Sequence, residues 1–480
     1  LEVNALVMPK IKKIISRFFF VKNRGSAISF VKKSGHFLLA VLAYWWYGRP
    51  ARKLIVVGVT GTKGKTTTSR LVASVLEAGG NKVGLLSTVE FQVGDKRWLN
   101  DKKMTMLGRG QIQSMLRDMV QAGCKYAVVE TSSEGILQYR HVGLLYDIAV
   151  FTNLGTEHHE RHGGFENLRR DKGKIFSQLM NTKHKIIDGV KVPKVIIANT
   201  DDKNADYYLQ FRADEKLGFS VISSGAVAES RNPLHSELKE SLHFGRDDKK
   251  MVVSGKNITS DNGGINFVAN DFKFRLNIIG EFNVYNALAA IAVGESQKIS
   301  IEKIAIGLAS VKLVEGRMES VEGGQDFKVI VDYAHEPMSF TELFTSLRKM
   351  VGENRKIIAV VGSDGGGRDK GKREKMGEIT GRLADITVIS DVNCYDEDPV
   401  EIAEMLAKGA RSTGRKDNAD LFVVVDRREG IAKAISLASA GDVVVITAKG
   451  TEPFIGVASG QRIPWDDRRV AREILLENRI

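Results

Sequence analysis

Gly58-Val59-Thr60-Gly61-Thr62-Lys63-Gly64-Lys65-Thr66-Thr67 is the stretch on which the reading of this chain turns. An apolar run at 54–57 leads into it. Behind it, residues 66–78 place Leu71, Val72, Val75 and Leu76 at the spacing of a buried helix face. Strand, glycine-rich turn and helix N-terminus together aim backbone N–H groups and a favourable partial charge at a polyphosphate. Gly61, Thr62, Lys63 and Gly64 then form the cradle, with Thr67 closing it; Lys65 reaches the terminal phosphates and the Thr66 hydroxyl can ligate magnesium. The spacing departs from the commonest phosphate loop, because Val59 stands five residues before Gly64 and the glycine comes one step earlier, at Gly58. Nucleotide phosphate binding follows from the strand–loop–helix context rather than from glycine content alone.

Working outward, 480 residues exceed one typical domain and suggest two or three. The net charge of +13 invites nucleic acid or an anionic membrane as partner. Its location narrows that choice. Residues 1–53 hold eleven Lys or Arg against one acid, Glu2, so the other 427 residues carry only +3. The same head holds nine of the 35 aromatics, including Phe18-Phe19-Phe20 and Tyr44-Trp45-Trp46-Tyr47. Its apolar run, 37–47, is shorter than the roughly 20 residues a bilayer span needs, and no small-residue cleavage site follows it. Two cysteines, Cys124 and Cys394, cannot build a disulfide framework and suit a reducing compartment. These features read as a cytoplasmic protein with a helical, basic and aromatic head. That head either packs on the body as a helical hairpin or lies on the inner membrane face through residues 1–50.

From residue 54 onward β-branched runs alternate with helical patterns, the signature of a parallel α/β sheet. Strands are expected at Tyr126–Glu130, 148–152 and 195–198, helices at 284–296 and Ile301–Ser310, and an antiparallel subsheet at 213–275. A linker near 312–317 opens a second alternation, with strands at 328–332, 356–361, 385–390, 421–425 and 442–447. The expected fold is α/β: a head at 1–53, a P-loop ATPase domain at 54–312 and a Rossmann-like domain at 313–480.

The segment from Gly61 to Thr67 resembles the ATP loop of the Mur ligases and of their folylpolyglutamate synthase relatives, with Lys63 where the Mur loop usually has Asn. Further segments follow in the family's order. Glu130-Thr131-Ser132-Ser133-Glu134-Gly135 resembles the E-type segment whose Glu binds magnesium, although Glu134 replaces its His. The stretch from Phe151 to Gly163 is similar to the segment whose first His, here His158, is a metal ligand. Lys172 aligns with the lysine that the family carbamylates. Asn199 and Asn283 match positions near the nucleotide, and Gly316-Arg317-Met318-Glu319 matches the interdomain linker whose Arg meets ATP phosphates on closure. Asp332-Tyr333-Ala334-His335 matches a nucleotide-contacting segment. The run Arg368-Asp369-Lys370-Gly371-Lys372-Arg373 is the one that separates E-type enzymes from other Mur ligases.

The resemblance implies ATP and magnesium, catalytic roles for Lys65, Lys172 and His158, and metal ligation by Thr66, Glu130 and His158. It implies substrate contacts at Thr105, Ser132, Arg368, Lys370, Asn393, Tyr395, Lys449 and Glu452. The implied reaction joins an amino acid to a UDP-N-acetylmuramoyl-peptide through an acyl phosphate, in peptidoglycan precursor synthesis; nucleic acid is not an expected partner. Two departures stand out. Val392-Asn393-Cys394-Tyr395 keeps only the Asn of the E-type tetrad whose Arg grips the distal carboxylate of diaminopimelate, so the acceptor stays open. The 53 residues ahead of the first strand do not resemble the α/β domain that holds the UDP end. A folylpolyglutamate-type ligase and a noncatalytic ATP-binding scaffold are the competing readings.

Overall fold

In the computed structural model, residues 25–102, 104–155, 162–222, 252–261, 263–367 and 370–477 are described, with backbone alone for 25–34. The central strands are the β-branched runs of the sequence: β1 Ile55–Thr60, β2 Val83–Leu86, β3 Glu90–Val93, β4 Lys96–Leu99, β5 Tyr126–Glu130 and β6 Ile148–Phe151. They continue through β7 Val195–Asn199, β8 Glu215–Val221, β9 Val252–Asp261, β10 Gly264–Ala269 and β11 Phe272–Leu276. All eleven form one sheet in the order β11-β10-β9-β8-β7-β6-β1-β5-β2-β3-β4. Strands β2, β5, β1, β6, β7, β8 and β9 run parallel to their neighbours in that row.

The stretch 213–275 therefore departs from the antiparallel subsheet expected of it. Its first two described strands extend the parallel sheet, and only β9-β10 and β10-β11 pair antiparallel. Short alternating segments with turn signals do not reveal which partner an edge strand finds, because pairing direction is a tertiary choice.

Both faces of the sheet are covered, as a mostly parallel sheet requires. On one face α2 (Lys65–Ala78) packs with α6 (Asn283–Ser296) and α7 (Ile301–Ser310), burying Leu71, Val75, Leu288, Ile291 and Ile304. On the other, α3 (Arg109–Gln121) and α5 (Phe165–Ser177) bury Ile112, Leu116, Leu168, Ile175 and Phe176. Between them lies the single-turn α4 (Ser133–Leu137), capped by the Ser132 hydroxyl, which accepts the Gly135 N–H at 3.1 Å.

The described part of the head, from residue 25 on, is a long helix, α1 (Gly25–Trp46), followed by a 3-10 turn at Pro50–Lys53. It lies along α3. Ala40 is buried, Tyr44 covers Gly143, the Arg117 guanidinium sits 5.0 Å from the Tyr47 ring, and Phe37 meets Tyr139 edge-on at 5.8 Å. The part of the head at 1–24 lies outside the described residues.

The second unit is a six-stranded sheet in the order β12-β13-β17-β14-β15-β16. These strands are β12 Glu319–Ser320, β13 Lys328–Val331, β14 Ile357–Val361, β15 Ile386–Ile389, β16 Leu421–Val423 and β17 Val443–Ile446. Helices α8 (Pro337–Val351), α9 (Gly371–Leu383) and α10 (Pro399–Arg411) cover one face. Helices α11 (Arg427–Ser436) and α12 (Asp467–Glu477) cover the other. The two-unit α/β architecture expected from the alternation is the one found, and the carboxyl ends of both parallel sheets supply the loops that meet between the units.

Candidate active site

The phosphate loop leaves β1 at Thr60 and enters α2 at Lys65, with Gly64 as N-cap in the left-handed region at φ 75°. No other residue fits at two of its positions. A Cβ on Gly61 would stand 1.9 Å from Thr152 Oγ1, and one on Gly64 would stand 2.3 Å from Asn286 Oδ1. The loop is therefore clamped from outside as well as bent from within. The Asn153 side chain accepts the Lys63 N–H at 2.9 Å, its carbonyl accepts the Thr62 N–H at 2.9 Å, and the Thr152 hydroxyl donates to the Lys63 carbonyl at 2.6 Å. From α6, Asn286 accepts the Thr68 hydroxyl at 3.0 Å and donates to Asn283 Oδ1 at 2.8 Å; Asn283 in turn donates to the Ile279 carbonyl at 2.7 Å. Asn283 thus holds the helix start and, through Asn286, the loop.

Glu130 ends β5 next to this loop and is buried. Its carboxylate accepts the Thr66 hydroxyl at 3.1 Å, the Thr88 N–H at 2.8 Å and the Thr88 hydroxyl at 2.9 Å, and the Thr105 hydroxyl, 2.9 Å from Thr88 Oγ1, donates to it in turn. Thr105, Glu130 and Thr66 are thereby joined in one chain of hydrogen bonds. Thr66 and Glu130 offer the oxygen donors magnesium prefers, beside a glycine cradle that only a small ligand can fill, so the residues present fit a magnesium–nucleotide pair. His158, read as the third ligand, lies outside the described residues.

Lys65 donates to the Thr62 carbonyl at 2.7 Å and Lys172, buried on α5, donates to the Gly61 carbonyl at 2.7 Å, so both ammonium groups stand on the loop itself. Next to Lys172, Asp171 accepts His162 at 2.7 Å and Lys174 at 2.6 Å. Burial would raise the Asp171 pKa, but those donors hold it below the ordinary value. Asn199, at the end of β7, spends its side chain on the backbone: it donates to the Thr152 carbonyl at 2.9 Å and accepts the Asp201 N–H at 3.1 Å. It supports the loop residue Thr152 from behind.

The C-terminal unit reaches this loop. Arg317 places a guanidinium nitrogen 3.4 Å from Thr66 Oγ1 and stacks on the Tyr333 ring at 4.6 Å. Asp332 does not point at the loop. It accepts the N–H groups of Met318 at 2.8 Å and Ala334 at 2.7 Å, fixing the chain one residue past Arg317. Burial raises its pKa, opposed by the Arg317 charge. His335 donates its Nδ1–H to the Tyr333 carbonyl at 2.7 Å and keeps its other edge partly exposed. Lys63 pairs with Glu342 on α8 at 3.1 Å, and Met338 of the same helix lies over Gly155.

The expected acceptor residues gather at the carboxyl edge of the second sheet. Asn393 donates to Asp364 at 2.7 Å and Glu452 at 3.1 Å. Glu452 also accepts from Lys449 at 3.1 Å and faces the Tyr333 hydroxyl at 3.5 Å. Lys449 is fully buried and donates to the Val392 and Phe454 carbonyls, so it ties together the loops that carry this cluster. Tyr395 sits at φ 50° with its ring between Gly366 and Gly456. Lys370 pairs with Glu397 at 3.2 Å, away from that cluster, and Arg368 lies outside the described residues.

Several residues in this constellation had no expected role. Asn153, Thr152 and Asn286 clamp the loop, Thr88 links Glu130 to Thr105, Asp364 shares the Asn393 amide with Glu452, and Tyr333 faces Glu452. Arg140 donates to the Gln138 side chain at 2.6 Å and to the carbonyl of Met106, the residue after Thr105. An Asn directly after a strand and a second Asn three residues into a helix were visible signals for Asn153 and Asn286; Thr88 and Asp364 carried none.

Comparison with known proteins agrees with this geometry. Residues 59–294 match the Mur ligase middle domain and residues 316–450 the Mur ligase glutamate ligase domain. A UDP-N-acetylmuramyl-tripeptide synthetase of Roseiflexus sp. (strain RS-1) is 36% identical over 444 residues, covering 92% of this chain and 82% of that protein. A UDP-N-acetylmuramoyl-L-alanyl-D-glutamate–2,6-diaminopimelate ligase of Geobacillus kaustophilus is 34% identical over 452 residues, covering 92% and 82%. A solved 2,6-diaminopimelate ligase superposes with a TM-score of 0.56 at 26% identity, over 89% of this chain and 79% of its own. A folylpolyglutamate synthase of Mycobacterium tuberculosis shares the fold, with a TM-score of 0.61 at 15% identity, over 87% and 96%. With both halves of the body matched in order around a shared phosphate loop, the chain belongs to the Mur ligase family and is an ATP-dependent, ADP-forming ligase that makes amide bonds.

Proposed function

We propose that this ligase joins an amino acid to the peptide end of a UDP-N-acetylmuramoyl-peptide in the cytoplasm. The single observation that carries the reading is the convergence on Thr66: the β5 carboxylate at 3.1 Å and the second unit's Arg317 at 3.4 Å meet at the first turn of the phosphate-loop helix. Phosphoryl transfer is catalysed by positioning and charge neutralisation, and these are groups of the right sign in the right place. The substrate carboxylate attacks the γ-phosphorus of ATP and ADP leaves, giving an acyl phosphate. The acceptor amine then attacks the acyl carbon and phosphate departs. Lys65 and Arg317 stabilise the charge that develops on the transferring group. Thr66 and Glu130, with His158 as the resemblance implies, would hold magnesium, which would neutralise phosphate charge. Closure of the second unit over the loop excludes water from the acyl phosphate.

Lys172 fits the role of a carbamylated lysine, since carbon dioxide on its amine would turn a buried cation beside Gly61 into an anionic oxygen donor. Thr105 and Ser132 border the end of the peptide substrate, and Asn393, Tyr395 and Glu452 border the acceptor. Glu452 and Asp364 favour an acceptor that brings an ammonium group into this cluster. The test is a screen of amino acids with ATP and UDP-muramoyl dipeptide, reading phosphate release and product mass. One acceptor should release phosphate in proportion to a product heavier by that amino acid less water. Silence across the panel would favour a scaffold, and turnover with a folate and glutamate would favour the other branch. Intact-mass analysis of freshly purified protein, with and without bicarbonate, tests Lys172.

A further inference from the structure

Helix α1 has two faces with opposite surroundings. One packs on the body through His36, Ala40 and Tyr44, with Tyr47 just past the helix end, Ala40 only 1% exposed and His36 in contact with Arg109 at the start of α3. The other carries Leu38, Leu42, Trp45 and Trp46, which fall on one stripe at helical spacing and are 57%, 55%, 60% and 65% exposed. A contiguous apolar stripe of this kind marks an interaction surface. Cations continue it directly. Arg49 lies 4.6 Å from the Trp45 ring, and Arg52 and Lys53 are exposed in the following 3-10 turn. Between residues 3 and 53 the sequence has no acid at all, and residues 1–24 add six more Lys and Arg.

We propose that this face of α1, with the cations that follow it, docks the protein on an anionic lipid surface. The chemistry matches on both counts: leucine and paired tryptophans enter the headgroup–acyl boundary while lysine and arginine meet lipid phosphates. The fold sets the orientation. The second half of α1 is fastened to the body by its other face, from His36 on Arg109 to Tyr44 on Gly143, so it lies in the plane of the membrane, and no helix among the described residues is long and apolar enough to cross one. A second copy of the chain is the poorer occupant, because a symmetric contact through this face would set two acid-free cationic segments against each other. Nucleic acid would meet the cations but leave the tryptophan stripe without a partner. The inference is independent of which amino acid the ligase adds.

The experiment is co-sedimentation of the full chain with phosphatidylcholine vesicles containing a quarter phosphatidylglycerol, and with phosphatidylcholine alone. Binding is expected to the anionic vesicles, with a blue shift of tryptophan emission, and to weaken as salt is raised. The paired change Trp45→Ala/Trp46→Ala should weaken partitioning about tenfold or more, and Arg52→Ala/Lys53→Ala should do so by a similar factor. Thermal midpoints should stay at the parent value, because these side chains are exposed. Absence of binding to anionic vesicles, or binding undiminished in the tryptophan pair, overturns the proposal. So does a concentration-dependent dimer that Leu42→Glu dissociates, which would assign the stripe to a second copy.

Discussion

Gly64 shows how narrowly single residues are specified here. A side chain at this position must adopt φ 75° and displace Asn286, whose Oδ1 would lie 2.3 Å from the new Cβ. Gly64→Ala should therefore raise the KM for ATP at least about tenfold, from a left-handed penalty of roughly 1 kcal/mol plus the lost Asn286 clamp. Adding Asn286→Ala removes the clash but not the strain, so steady-state kinetics should show partial recovery at most. His141 is a second single-residue case. It is 3% exposed, its Nδ1 has no hydrogen-bond partner among the described residues, and burial, helped by Lys174, pushes its pKa down to about 4. The unfolded chain binds a proton at this residue near pH 6.5, before the folded one does. Its contribution is complete above that pH and is lost as pH falls from about 6.5 toward 4, by about 1.4 kcal/mol per unit. Urea midpoints of His141→Leu across this range should be flatter than those of the parent by that slope.

At the scale of elements, the last helix is held by one buried ion pair. Arg427 on α11 grips Asp467 on α12 through two bonds of 2.8 and 2.7 Å, donates to the Thr447 carbonyl at 2.8 Å, and Trp465 Nε1–H closes on the same carboxylate at 2.7 Å. Asp467→Ala strands a buried guanidinium and should cost about 3–5 kcal/mol of C-terminal unit stability in denaturant melts. Strand and helix positions in both units were legible because β-branched runs and 3.6-residue periods are local signals. The parallel extension of the sheet by β8 and β9 was not, because edge pairing depends on what lies alongside. The head shows the same division. Its helical, aromatic character was in the sequence, but which face packs and which stays exposed depended on α3.

The whole molecule is the scale at which the site is assembled, because its halves arrive from two sheets. Arg317→Ala should lower kcat about 100-fold with a smaller change in the KM for ATP, since its guanidinium meets the loop only across the interface. Glu342→Gln tests closure without touching the chemistry. The Lys63–Glu342 pair has one partner half exposed, so its loss should shift closure by no more than about 1 kcal/mol, seen as a slightly larger radius by small-angle scattering. Raised salt should reproduce that shift in the parent and not in the variant.

The phosphate loop, the acid at the end of β5, the linker arginine and the concentration of positive charge in the head were all determined by sequence, because each is a short run whose chemistry is set by its own residues. Only the tertiary structure decided their partners. It made Asn286 the wall behind Gly64, turned Asp332 and Lys449 inward as supports, gave Lys63 a carboxylate on the other unit, and left Leu38, Leu42, Trp45 and Trp46 of α1 facing outward. Those outcomes depend on which surfaces are buried against each other, and burial is a property of the packed whole.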